Sequence, residues 1–442
     1  MRTTGPFGFL LLVAAPALLA TACSSNPAVE PVLTVGGWSW DPAVAGDRPL
    51  PVVWGADGTP RRLPLPPPGD CPSSGAVMTL AVNGAAPVAG GIAMRCDGGA
   101  STFVPVAWPD ATTVQPLPLA PRTTQGTVIA MAAFGGKVYA AGAVGFLSPQ
   151  PAIWVDGMLA IMEPLAFVPP GHDAALLTAI FPSQNYVVAT GIAHVAGSSP
   201  PAFTPVGWVF DTEMRNFTYD ALPMPEGTGA SVGPAVYLMV TLDEVAVTTA
   251  ALAAPSGAEK AVVWQNTTPT TPFGSDFASG PFVSPTGLAL VGFVPYSSGF
   301  VRTSAPTSRP QPAIWASSTL EVLSTLDASS PLGAGEGLAL FNASSFVSGE
   351  TCLPHPSRPS MVVCPAAYWA NGTRVDLGAL APAGDPTPLA APLSAWWRIP
   401  GTPNTAAPDW PFPGGMPEIL RSATVGASGS AVGRAIVAVP PG

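Results

Sequence analysis

Short apolar runs cut off by Gly, Pro, Asp or Asn fill this chain, and their length and punctuation predict strands rather than helices. The clearest stretch begins at Thr127–Phe134, which leads across the Gly135-Gly136 turn into Val138–Gly145. A loop and Pro151 then introduce Ala152–Val155, and the hairpin signal Asp156-Gly157 leads to Leu159–Leu165. Proline is expected at the first residue of a strand, where its missing N–H falls outside the ladder. The next stretch repeats the order as Ala175–Phe181, Tyr186–Ile192, Val206–Phe210 and Phe217–Leu222.

The four-strand phrase recurs. Trp54, Trp108, Trp154, Trp208, Trp264, Trp315 and Trp369 return at intervals of 46 to 56 residues, in PVVW, PVAW, PAIW, PVGW, AVVW, PAIW and AAYW. A period near 50 marks a repeat architecture, in which no unit buries its apolar face alone. Seven antiparallel meanders of four strands predict an all-β chain with one β-propeller of seven blades, eight being the alternative. The first and second strands of each unit are expected near the axis. The tryptophans are expected to pack between neighbouring blades, because one identical position per unit is what a shared core requires. The first unit begins at its second strand, Leu33–Trp40, so its innermost strand must come from elsewhere: Leu393–Arg398, or Arg421–Ala427 with Arg434–Val439. Pairing the chain ends removes the exposed edges of an open ring. Residues 382–417, dense in Pro and Gly, form an irregular excursion before closure.

Composition narrows the function classes. Only 10% of the 442 residues are charged, the net charge is −10, and no basic block exists. Nucleic acid is therefore excluded as an expected partner, since its affinity comes mainly from Lys and Arg on phosphates. Beyond residue 22 no uninterrupted apolar stretch reaches the length of a membrane-spanning helix; the longest, Val128 to Val144, is broken by Gly135, Gly136 and Lys137.

Residues 1–22 have the form of an export signal: Arg2, an apolar core from Phe9 to Leu19, and small residues Ala20-Thr21-Ala22 before Cys23. The stretch Leu19-Ala20-Thr21-Ala22-Cys23 resembles the lipobox of bacterial lipoproteins. That resemblance implies a lipidated Cys23, a tether over residues 23–32 and a propeller over 33–442, held to a membrane by the lipid anchor alone. Ser24 beside it resembles the outer-membrane sorting signal of Gram-negative lipoproteins. Four cysteines then remain, Cys71, Cys96, Cys352 and Cys364, an even number that suggests two disulfides in an exported chain. Three pairings are possible, and Cys71–Cys96 with Cys352–Cys364 close the shortest loops. With no CxxC and no His at ligand spacing, neither a metal nor another cofactor is expected.

The repeat resembles kelch-type propellers. Its seventh unit, AAYWANGTRVDLGAL from Ala366 to Leu380, also resembles the extracellular HAF-type repeat of bacteria. Both likenesses imply a scaffold and no particular reaction.

In such a blade the connections from strand two to three and from strand four to the next unit share one face. The long ones are Met94–Val104, His194–Thr204, Tyr296–Gln311 and Glu350–Cys364. They gather Arg95, His194, Arg302, Arg309, His355 and Arg358, joined by His172 from a four-to-one connection, into a candidate binding face. His172-Asp173 and Glu350 are the groups to probe for acid–base work. No P-loop, H-E-x-x-H or EF-hand loop is present, so no catalytic residue is assigned. The expectation is a monomeric envelope propeller that binds a protein or glycan through its long-loop face. The alternative is an envelope hydrolase or lyase with its site in the central depression.

Overall fold

The computed structural model describes residues 30–41, 49–67, 74–84, 86–97, 100–145, 148–160, 164–198, 202–213, 216–225, 232–240, 246–253, 259–265, 268–270, 282–291, 294–302, 311–316, 319–327, 332–342, 344–355, 358–380 and 431–439. Among these residues the strands form seven four-stranded antiparallel sheets and one two-stranded hairpin. A typical sheet lays His172–Pro182, Tyr186–Val195, Phe203–Asp211 and Phe217–Ala221 side by side in chain order. The innermost strands are Ser74–Asn83, Gly126–Phe134, His172–Pro182, Val232–Val240, Phe282–Val291, Gly333–Phe341 and Ala431–Val439. Each touches the next, and the last returns to the first. A closed cycle of inner strands with the sheets radiating outward is a β-propeller.

Closure follows one of the expected routes. Ala431–Val439 pairs antiparallel with Val32–Trp40, from Val32 opposite Val439 to Ser39 opposite Ala431. The first sheet therefore takes its inner strand from the far end of the chain. Leu393–Arg398 and Arg421–Ala427, the 382–417 excursion, the signal segment and Cys23 all lie outside the described residues.

Two local devices recur. In each sheet the pairing between the two inner strands is interrupted by a register shift; examples are Val77/Thr79, Val128/Ala130, Leu177/Ala179 and Pro285/Gly287. The partner there is usually glycine. A Cβ built on Gly191 would overlap the carbonyl oxygen of Leu176, and one on Gly142 that of Thr127, so only glycine lets the bulged strand approach. The second device is the proline of the third strand. It lies inside the strand rather than at its start, as with Pro105 in Ala100–Trp108 and Pro205 in Phe203–Asp211. Leu117 N–H donates to Pro105 O at 2.8 Å, and Leu222 N–H to Pro205 O at 2.9 Å. Within a strand, a residue's N–H and C=O point the same way, so the missing N–H faces the outer strand where the ladder ends.

All seven repeat tryptophans are buried, none more than 2% exposed. Six of their indole N–H groups reach the chain leaving the preceding sheet. Trp108 donates to Pro64 O, Trp154 to Pro118 O, Trp208 to Phe167 O, Trp264 to Pro223 O and Trp369 to Ser324 O, at 2.7 to 3.0 Å. Trp54 completes the circle by donating to Gly378 O at 2.6 Å, joining the first sheet to the last. For Trp315 the corresponding stretch, 271–281, lies outside the described residues.

One predicted strand is shorter. Of Leu159–Leu165, the described residues pair at Met158–Leu159, Ala160 N–H donates to Ile153 O at 2.8 Å, and Pro164–Phe167 forms a 3-10 turn; 161–163 lie outside the described residues.

Two measurements test this frame. Trp208→Phe keeps most of the apolar volume but removes the donor to Phe167 O, and should cost about 1–2 kcal/mol; Trp208→Ala should cost about 3–5 kcal/mol. Both are read from urea unfolding midpoints, and a Trp208→Phe variant as stable as the wild type would show that the hydrogen bond contributes nothing. A chain ending at residue 380 exposes the edge of Val32–Trp40 and should self-associate in sedimentation velocity.

Candidate functional site

The fourth sheet carries an additional irregularity at its loop-face end. His172 pairs with Val195 and Ala174 with His194, which leaves Asp173 as an extra residue in the inner strand. A bulge re-aims the side chain it carries. Here Asp173 Oδ1 lies 2.6 Å from Nδ1 of His194. The His194 ring is 5% exposed and lies against Phe203, with ring centroids 5.4 Å apart. Asp173 stays open to solvent on its outer side, at 53% exposure.

With Nδ1–H donating to the carboxylate, Nε2 of His194 keeps a lone pair. Ser198 Oγ faces that nitrogen at 3.4 Å. Ser198 follows Gly197, whose φ of +71° reverses the chain after Val195. The serine hydroxyl also lies 2.8 Å from Val195 O and accepts the Ala202 N–H at 2.9 Å. Beside this chain of three groups, His172 contacts Pro170 O through Nδ1 and Thr204 Oγ1 through Nε2, both at 3.1 Å. From the third sheet's two-to-three connection, Ser148 Oγ donates to Asp173 O at 2.5 Å. The structure thus brings His172, Asp173 and His194 to one corner between the third and fourth sheets. Ser198 and Thr204 escaped the sequence reading. The available signal was a Gly-Ser turn placed four residues after a histidine.

The other candidates are dispersed. The expected Glu350–Cys364 loop is an ordered hairpin, Leu353–His355 with Arg358–Val363, and its base is clasped by a Cys352–Cys364 disulfide with an S–S length of 2.06 Å. His355 and Arg358 belong to its strands. The expected Met94–Val104 loop is mostly strand, Ala86–Asp97 pairing with Ala100–Trp108, and leaves Arg95 exposed. Within the expected Tyr296–Gln311 loop, strand Val294–Arg302 already includes both Tyr296 and Arg302. In each case the pairing runs on because residues that look like loop in isolation, such as Cys96 and Ser101, find cross-strand partners. Arg309, Cys71 and the Cys71–Cys96 pairing lie outside the described residues.

Glu350 requires a correction. It is a fully buried residue of the strand Ser344–Thr351, paired between Ala334 and Ala366, and is not a group on the loop face. Neither carboxyl oxygen has a hydrogen-bond partner, and desolvation pushes its pKa up to about 8. A second buried carboxyl, Glu336, meets Arg434 of the closing strand, an ion pair that ties the last sheet to the first.

A cleft of about 370 Å³ opens on the opposite face between the first two sheets, lined by Trp54, Asp57, Arg61, Leu80, Trp108 and Asp110 among others. Hydrogen bonds from Thr112 and Thr113 hold the exposed Asp110 carboxyl at a pKa of about 2. Among the described residues, no group of three or more His, Cys, Asp or Glu is placed to hold a metal ion.

Glu350 sets a pH dependence. Its folded pKa stands above the unfolded value, so between about pH 4.5 and 8 the unfolded chain gives up a proton that the folded chain keeps. Stability should fall as pH rises through that window, by up to about 1.4 kcal/mol per pH unit, and Glu350→Gln should flatten the slope. Urea midpoints at pH 5 and pH 8 check this; equal slopes in both proteins would contradict it.

No protein-family model matches the chain, and no characterised protein matches it in sequence. Among solved structures it is similar to a protein of unknown function from Dyadobacter fermentans, at 13% identity and a TM-score of 0.40, covering 66% of this chain and 94% of that one. It is also similar to the Aleuria aurantia lectin, a fungal six-bladed β-propeller, at 10% identity and a TM-score of 0.40, covering 71% and 96%. A thermostable family-43 glycoside hydrolase gives 12% identity and a TM-score of 0.33, covering 61% and 97%. Likenesses at this level transfer no function, and the fold stands on the strand topology above.

Proposed function

We propose that the chain is an exported, lipid-anchored propeller of seven blades that works as a monomeric binding module on the cell envelope, with a protein or glycan as its ligand. The observation that carries this reading is the build of the loop face. A disulfide-clasped hairpin rises from the last sheet, and a hydrogen-bonded corner stands between the third and fourth. Ordered projections on a rigid ring lower the entropy lost on binding, which is the advantage of a preorganised surface. The lipid anchor rests on Leu19–Cys23, and the outer-membrane destination on Ser24.

In a bacterial host that matures lipoproteins, the wild-type chain should incorporate labelled palmitate and sediment with membranes. Cys23→Ser should do neither, and an unlabelled wild-type chain would end the anchor proposal. For binding, the soluble form Ser24–Gly442 is passed over immobilised glycans and envelope proteins. Replacing residues 353–363 by a two-residue turn should weaken capture at least tenfold. Unchanged capture, or none by the wild type, counts against this face.

A further inference from the structure

The Asp173–His194–Ser198 corner departs from the repeat in two independent ways. Among the described sheets, only the fourth has an inner strand with two register shifts, His172/Ala174 in addition to the recurrent Leu177/Ala179. The additional shift is the one that delivers Asp173. Three residues beyond the glycine facing the recurrent bulge, four other sheets place Met94, Gly145, Arg302 and Cys352, where the fourth places His194. The scaffold folds with any of these, so packing does not demand an imidazole there.

We propose that Ser198, His194 and Asp173 form a nucleophilic serine site that hydrolyses carboxylic esters, an activity beyond the binding role above. The three groups stand in the order acyl transfer requires: carboxylate on Nδ1 at 2.6 Å, serine oxygen on Nε2 at 3.4 Å. The second contact is long, as such contacts are before a substrate tightens them. In the resting enzyme the hydroxyl proton points to Val195 O, and rotation about the Cβ–Oγ bond turns it to Nε2. Ser198 Oγ then bonds to the ester carbonyl carbon as its proton passes to Nε2. Collapse of the tetrahedral intermediate breaks the acyl C–O bond, and the alcohol leaves with that proton. Water repeats the sequence on the acyl-serine, giving its proton to Nε2 and returning the serine hydroxyl with release of the carboxylic acid. Asp173 holds the ring with Nε2 toward the serine and stabilises the imidazolium. The Ala202 N–H donates to Ser198 Oγ at 2.9 Å and holds the nucleophile's oxygen in place. An ester is the substrate class because an alkoxide leaves with less help from the general acid than an amine anion does. Asp173 faces water, so the reacting ester is carried on a molecule approaching from solvent.

The test uses the full chain purified in detergent. A fluorophosphonate should label the wild type, with peptide mass spectrometry placing the adduct on Ser198. Hydrolysis of p-nitrophenyl acetate should fall at least a hundredfold in Ser198→Ala and His194→Gln. Asp173→Asn should lower kcat at least tenfold with little change in KM. A folded wild type with no adduct on Ser198, or hydrolysis that Ser198→Ala leaves intact, overturns the proposal. The labelling arm needs no variant, so a variant that fails to fold does not rescue it.

Discussion

An indole N–H that crosses from one sheet to the backbone of the sheet before it is the contact on which the ring depends. A four-stranded sheet has two apolar faces and cannot cover either by itself. Tryptophan suits the gap between sheets because one side chain supplies about 200 Å² of apolar surface and a donor at its far edge. The donor removes a problem that burial would otherwise create: the carbonyl just past the outer strand, such as Pro64 O or Pro118 O, has no ladder partner. Each staple thus fixes the distance between neighbouring sheets and the path of the chain between them. Around a circle these constraints are mutual, and Trp54 on Gly378 makes the first sheet depend on the last.

Near the axis a different constraint governs. Inner strands crowd where the wedge-shaped sheets converge, and the recurrent bulge raises their local twist at the cost of unpaired residues in each sheet. The bulge needs a partner strand without side-chain bulk at that level, which is why Gly142 and Gly191 sit where they do. At the closing seam the bulged residue is Arg434, skipped between Gly433 and Ala435 in the pairing with Gly36-Gly37. Its guanidinium meets Glu336, itself in the bulge of the last inner strand. Buried pairs of this kind add little net stability, yet breaking one leaves an uncompensated charge, so they penalise wrong registers. The seam is where register matters most, because no short turn fixes the closing strand.

The features legible in the sequence are those that repeat. PxxW, the glycine of the second strand and the turn after tryptophan each recur often enough to reveal strand order, and from it the ring. Cys352–Cys364 was legible for a different reason, the short loop it closes. Single events were not. Asp173 looks like an ordinary strand-entry residue, and only pairing shows that it is supernumerary. Glu350 looks like a polar loop residue, since one-dimensional pattern cannot tell that Ala334 and Ala366 flank it inside a sheet. The run Leu159–Leu165 is apolar and so looks like one strand, yet its described pairing covers only Met158–Leu159 and Pro164–Phe167 forms a 3-10 turn.

Repetition also separates scaffold from chemistry in the folded molecule. A side chain found at one position in every unit is answerable to packing, as the tryptophans are. A side chain found once, held by a backbone irregularity that the other units lack, is not needed to close the ring. His194 meets both conditions, with its ring walled by Phe203, its Nδ1 fixed by Asp173 and its Nε2 turned to Ser198. Glu350 meets only the first, since it sits in regular pairing, and its unpaired carboxyl costs the fold stability at neutral pH. The rigid sheets around the third and fourth units hold the histidine, while the solvent-facing carboxylate and turn leave its partners open to a reactant. That division, a fixed imidazole on a packed ring with accessible groups at its rim, is what sets this corner apart from the rest of the ring.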